Sequence, residues 1–302
     1  MVLPVLVTVL TIVVIWYAAC IPMNIKGVLT EIQRAGAVVT PGDAAERRDA
    51  SAFGLLVRNT FAIPATWGQD RPRLPAPHQV VHELWNTTVD KKITSKRSLV
   101  YHSWITLSAT LLGFAIGTGL GILLAIGIVH SRVMDMSVMP WAIVSQTIPI
   151  IALAPMIIVV LYSVGLQGIV PKAVISAYLS FFPVVVGMAK GLRSPDSIQL
   201  DLMRTYNAPA SQVFWKLRLP ASLSYLFASL KVGIAASLVG AIVGELPTGA
   251  VAGLGARLLA GSYYGQTVQI WSALFAAAIL AACLVGLLGL IERGFLKRMG
   301  LA

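Results

Sequence analysis

Few residues in this chain have the type and spacing to do chemistry. His78 and His82 stand four positions apart with Glu83 alongside, which would bring two imidazoles to one helical face as a zinc site requires. The order is not His-Glu-x-x-His, and Pro75 and Pro77 argue against a regular helix there. Cys20 and Cys283 each lie alone in apolar runs, which excludes a CxxC metal site and a disulfide framework. Lys231 and Glu245 interrupt an otherwise apolar stretch, and a charge in hydrocarbon is expensive enough to be a functional candidate. Fourteen residues separate them, about 21 Å along a helix, so they cannot pair. Glu245 either lines an outer gate or is solvated at the mouth. Lys231 either borders the pathway or snorkels to the interface. No Asp, Glu or His clusters at the span ends, and no Gly-x-x-x-x-Gly-Lys-Ser/Thr phosphate loop is present. The residues give no catalytic site and no metal site.

The elements that must carry these residues are set by composition. Of 302 residues, 57% are hydrophobic and only 12% charged, too few charges to clothe a soluble fold of this size. A net charge of +11 raises the possibility of nucleic-acid binding, but the basic residues form no stripe and are diluted among apolar runs. The expectation is an all-α, polytopic membrane protein with about six transmembrane helices. These fall at about 2–21, 103–129, 138–162, 172–189, 223–246 and 268–291. Tyr17-Ala-Ala-Cys20 superficially matches a lipoprotein processing box, yet no Lys or Arg precedes it, so residues 1–22 are read as the first transmembrane helix. Residues 23–102 form a polar, Pro-bearing extracytoplasmic segment, a surface collar. Residues 103–302 form a core of five further helices.

Orientation follows from the short loops. Arg132, Lys190, Arg193, Arg204, Lys216, Arg218, Arg293, Lys297 and Arg298 fall on one side, against Arg257 and the span-edge Lys172 on the other. Both termini are therefore expected in the cytoplasm. Packing is foreshadowed by glycine: Gly113, Gly117 and Gly121 share a helix face, as do Gly240 and Gly244. Such faces allow close helix approach, more simply within the chain than in a dimer. Pro140, Pro149 and Pro155 imply either a broken helix beside a pathway or a bent one. A short turn is expected at Val164–Gly168.

The loop 191–221 carries the most pattern. Ile198, Leu202 and Tyr206 recur every four residues behind Pro195 and Asp196, predicting a short helix over 197–206 with an apolar stripe. Asn207 suits a left-handed helix stop. Pro209 suits the start of a second short helix bearing Val213, Phe214 and Leu217, and Pro220 is expected to end it. By periodicity alone the favoured reading is a membrane-surface amphipathic elbow.

The spacing here resembles that of the permease subunits of binding-protein-dependent ABC importers. Their signature is Glu-Ala-Ala, three residues, Gly, nine residues, Ile-x-Leu-Pro. This chain has Asp201-Leu-Met, three residues, Asn207, nine residues, Leu217-Arg-Leu219-Pro220. The acid is shortened, both alanines are replaced and Gly becomes Asn. Leu74-Pro-Ala-Pro77 before Val80, Gly113-Phe-Ala-Ile-Gly117, Val239-Gly-Ala-Ile-Val-Gly-Glu245 and Gly253-Leu-Gly255 are similar to the nitrate/sulfonate/taurine branch. Together they cover about 74–292, whereas 22–73 has no counterpart.

The resemblance implies the type I ABC importer permease fold and an ATP-driven importer of a small solute: an organic anion, a sulfonate- or nitrate-like ion, or a heterocyclic nutrient. It implies a bacterial inner membrane, ATPase subunits holding ATP and Mg, a periplasmic solute-binding protein and a second permease copy, with no cofactor on this chain. The loop helix would dock on the ATPase, Asp201 orienting it by ion pairing, with Arg204 a further residue of the coupling loop. Leu202 and Tyr206 would fill a cleft, Asn207 would set the turn, and Leu219 and Pro220 would close the motif. Glu245 and Lys231 are the gate or pathway candidates. The competing readings are an ion-coupled secondary transporter, which needs an ionisable site near midplane, and a polytopic membrane enzyme.

Overall fold

The computed structural model describes residues 2–247 and 252–299. Its described residues form helices and turns, and they divide into two compact units, Met1–Val100 with Arg257–Ala276, and Tyr101–Ala256 with Ala277–Ala302.

In the first unit, α1 (Val2–Arg34) runs through Pro22 without stopping, twelve residues beyond the expected end of the first span at 22. Its N-terminal half is apolar and exposed, from Leu3 to Ile15, as befits a lipid-facing helix. Its C-terminal half is a scaffold for the polar segment. Ile25, Val28 and Leu29 pack with Val39, Leu55 and Ala62, a core to which α3 (Ala52–Arg58) contributes Leu55 and Leu56, with α2 (Ala44–Asp49) preceding it in the chain. Asn24, which is buried, ties this unit together. Its amide donates to the carbonyls of Thr66 (2.9 Å) and Leu74 (2.8 Å), and its oxygen accepts from the N–H groups of Arg73 (2.9 Å) and Leu74 (3.0 Å). α4 (Pro77–Trp85) is a regular helix, against expectation. Pro77 occupies its first turn, where the missing N–H is not needed. It places His78 on the Tyr17 ring (5.9 Å between centroids) and His82 3.1 Å from the Asn86 amide, so the two imidazoles serve different neighbours.

In the second unit, α8 (Ile169–Leu192) is the central helix. α5 (Leu99–His130) meets it through the predicted glycine face. A Cβ on Gly113 would lie 2.3 Å from Ser176, one on Gly117 2.2 Å from Ser180, and one on Gly121 2.8 Å from Val184. α11 (Leu219–Glu245) meets it likewise: a Cβ on Gly240 would lie 2.7 Å from the Ser176 Cα. The small-residue stripes are therefore spent on packing within the chain. Helix α13 (Thr267–Arg298) completes the long apolar helices, and the predicted turn at Val164–Gly168 has positive φ at Gly165 and Gly168.

The span expected at 138–162 is not one helix. α6 (Arg132–Ser145) and α7 (Ile150–Ser163) are bent by 101° at the intervening break. Each has 14 residues, about 21 Å, too short to cross a hydrocarbon core of about 30 Å alone. Five helices are long and apolar enough to cross a membrane, or six if the bent pair counts as one. The cause is Pro149, which lacks the N–H that would bond the Ser145 carbonyl and biases Ile148 away from helix. The Tyr178 hydroxyl donates to that orphaned carbonyl instead.

Two stability effects are expected. Tyr178→Phe should lower the thermal stability of the purified chain by about 1–3 kcal/mol, the cost of leaving the Ser145 carbonyl unpaired. Asn24→Leu should make the polar segment susceptible to limited proteolysis while fragments containing α8 and α11 stay protected.

Candidate functional site

The loop between α8 and α11 opens on α9 (Ser197–Thr205), where the Asp196 N–H donates to the Gln199 side chain at 3.2 Å. Its end is set by Asn207, the non-glycine residue with positive φ (47°) among the described residues. The Ala208 N–H reaches back to the Met203 carbonyl (3.0 Å) and the Asn207 N–H to Arg204 (2.8 Å). This pair of bonds is a Schellman stop, with Asn tolerating the left-handed position usually taken by Gly. Asp201 and Arg204 form an ion pair at 3.0 Å on the exposed surface of α9. The apolar stripe faces outward: Ile198 is 80%, Leu202 55% and Tyr206 76% exposed. Helix α9 buries no residue.

The second half of the loop behaves differently. α10 (Ala210–Val213) passes through a π turn at Phe214–Arg218 into α11. Pro220 therefore does not end a separate helix as expected; it sits in the first turn of α11, after a widened turn that leaves its ring room. Phe214 and Leu219 pack on Ala125, Met188, Ala189 and Leu192, and the Arg218 guanidinium donates to the Leu192 carbonyl (3.4 Å). One half of the loop is anchored and the other presents a bare apolar edge. A rigid joint of this kind can transmit a push.

Glu245 sits at the last turn of α11 and is fully buried, not solvated at a mouth. Thr106 on α5 donates to both carboxylate oxygens (2.9 and 3.1 Å), the Gly255 N–H donates at 2.8 Å, and the Lys172 ammonium on α8 lies 3.8 Å away. Thr106 also accepts from the Leu254 N–H (2.9 Å), and His102 Nδ1 accepts from the Gly253 N–H (2.9 Å). One carboxylate thus gathers α5, α8, α11 and the turn 253–255. Gly253 has φ of 130°, and a Cβ there would lie 2.2 Å from the Glu245 carboxyl carbon. A side chain at Gly255 would meet the Ile242 carbonyl at 2.4 Å. Both glycines are required by the approach of backbone to carboxylate.

Comparison with known proteins decides what this arrangement belongs to. Residues 117–300 match the family model described as the inner membrane component of binding-protein-dependent transport systems. The chain belongs to this family. Similar relatives include the formylaminopyrimidine transport permease protein ThiX of Halalkalibacterium halodurans, 32% identical over 67% of this chain and 76% of that one. The riboflavin transport system permease protein RibX of Chloroflexus aurantiacus is 30% identical over 73% and 78%. The nitrate import permease protein NrtB of Synechocystis is 26% identical over 74% and 78%. The chain is thus an all-helical, multi-pass permease subunit of an ABC importer for small solutes. It is a transport subunit, not an enzyme, and works with an ATPase and a substrate-binding partner.

Within this importer permease, the structure groups the anticipated residues unevenly. Asp201, Leu202, Arg204, Tyr206 and Asn207 lie together on α9 and its stop, whereas Leu219 and Pro220 lie in the anchored half. Lys231 is held by Glu292 on α13 and lies apart from Glu245. Thr106, Lys172 and His102 were not anticipated as partners of the Glu245 cluster, and they lie far from it in the chain. The only hint was Gly253-Leu-Gly255, a turn needing close backbone approach.

Thr106→Val should remove one hydrogen-bond donor from the buried carboxylate and the acceptor of the Leu254 N–H together, lowering stability by about 2–4 kcal/mol. Thermal unfolding of the purified permease would read this. Thr106→Ser, which keeps the hydroxyl, should stay near wild type.

Proposed function

We propose that this permease moves a small organic anion or heterocyclic nutrient into the cytoplasm and receives ATPase motion through α9. The observation that carries the coupling role is the exposed Ile198–Leu202–Tyr206 stripe on a helix stopped at Asn207 and joined to an anchored turn. An apolar edge of this size facing water wants a partner groove. The Asp201–Arg204 pair flanks it and supplies the polar rim. Docked on an ATPase that holds ATP and Mg, α9 would pass ATPase closure through Phe214 and Leu219 to α8 and α11, biasing them between two arrangements.

The membrane arrangement supporting this role is a bacterial inner membrane with both termini cytoplasmic and the polar segment 23–102 outside. The Lys/Arg bias of the short loops favours it, and it requires α6 and α7 together to make one crossing. A second copy would complete the pathway as a homodimer. The names of these relatives, with formylaminopyrimidine, riboflavin and nitrate as solutes, support a small polar or anionic substrate. Glu245, at the junction of four segments, would hold a gate.

The test is reconstitution with the partner ATPase and binding protein. Leu202→Glu and Asn207→Val should each reduce solute-stimulated ATP hydrolysis at least about tenfold, the scale of a 1.4 kcal/mol coupling loss, with membrane insertion unchanged. Asn207→Gly, which keeps the left-handed stop, should retain it. Full stimulation in Leu202→Glu would reject the coupling assignment.

A further inference from the structure

The polar segment has a feature that the coupling loop does not explain. Within the first unit lies a cleft of about 850 Å³, inside the size range of small-molecule sites. Glu83 of α4, Lys91, Arg97, Arg257, Gln266 and Gln269 are among the residues lining it. All its lining residues but Ala260 carry a polar or charged group, Asp90 among them.

Its charges are not used up internally. Among the described residues, none of Glu83, Lys91, Arg97 and Arg257 makes an ion pair within 4 Å. The Arg257 Nε is buried with no hydrogen-bond partner. Burial pulls the Arg257 guanidinium below its ordinary range; Glu83 opposes this and the like charge of Arg97 adds to it. Burial likewise pushes the Glu83 carboxyl up, against Arg257, His82 and Lys91. The acids Glu83 and Asp90 also line the cleft, but among the described residues neither pairs with a guanidinium within 4 Å. The buried Arg257 donor is thus left unmet, which is costly until a further negative group completes it. The planar donor fork of arginine fits an oxyanion with two or more oxygens.

We propose that this cleft binds a small organic oxyanion, a carboxylate or sulfonate, with its anionic group between Arg97 and Arg257 and its body against the amides of Gln266 and Gln269. A free solute is favoured over a protein side chain because the volume exceeds what one projecting carboxylate would fill. On an importer, such a site would take up solute ahead of the membrane pathway. That role rests on the transport reading above, whereas binding itself does not.

The experiment uses the full chain in phosphatidylcholine nanodiscs without ATPase, titrated calorimetrically with sodium ethanesulfonate and sodium propionate against sodium chloride at equal ionic strength. At least one anion should bind saturably with a Kd of about 1 mM or tighter. Arg257→Gln and Arg97→Gln should each weaken it about tenfold or more, and Arg48→Gln, an exposed site in the same unit, should not. Because Arg97 is itself solvent-exposed, its variant keeps the test valid if Arg257→Gln folds poorly. Absence of saturable binding by either anion, or equal weakening in Arg48→Gln, would overturn the proposal. Loss of binding in phosphatidylglycerol nanodiscs at the same salt would also overturn it, assigning the cleft to a lipid headgroup. An importer that still transports without such binding would separate this failure from that of the transport reading.

Discussion

Helices surrounded by lipid gain nothing from hiding apolar side chains from one another, because the tails are as apolar as leucine. What holds the second unit together is instead backbone brought close to backbone. The glycines of α5 at 113, 117 and 121 admit the Ser176, Ser180 and Val184 ridge of α8, and Gly240 and Gly244 of α11 admit it at Ser176, Ile175 and Lys172. Dispersion between such closely set surfaces replaces the hydrophobic drive. Once α8 is held by both helices, its ends are in place: Lys172 beside Glu245 at one, and Leu192 beneath Phe214 and Leu219 at the other.

Close packing excludes water, so every polar group trapped by it needs a partner from the chain. The three most consequential junctions are of this kind. Tyr178 supplies the donor that Pro149 lacks, which lets a helix break sharply at membrane depth. Thr106 and the Gly255 N–H satisfy Glu245 and fasten the 253–255 turn. In the first unit, Asn24 does the same for the Thr66–Leu74 segment with four bonds. The exposed stripe of α9 and the open charges of the Arg257 cleft depart from this rule of internal satisfaction. Both are therefore readable as surfaces meant for something else.

Much of this was legible in the amino-acid order. The long apolar runs, the glycine faces, the turn at Val164–Gly168 and the left-handed stop at Asn207 all follow from local rules, and all appear in place. The errors fell where a local rule was overruled. The first span was ended at 22 and Pro220 was read as a boundary, but a continuing scaffold helix and a π turn carry the chain through both. At Pro149 a broken and a bent helix were both open, and a neighbouring hydroxyl that answers the freed carbonyl accompanies the break. Of the two readings of Glu245, burial removes the solvated one, because a place near a span end says nothing of what covers it.

The sequence by itself determined which stretches enter the membrane, how the helices approach one another, where α9 stops and, through the spacing 201–220, which family the chain resembles. These are matters of period, length and cap chemistry, each readable within a few turns of helix. Only the tertiary structure decided that Thr106 meets Glu245, that Lys231 meets Glu292, and that Arg97 and Arg257 share a cleft. The physical reason is distance along the chain: 139 residues separate Thr106 from Glu245. No local pattern records which remote donor answers a buried carboxylate, and that choice is made by packing.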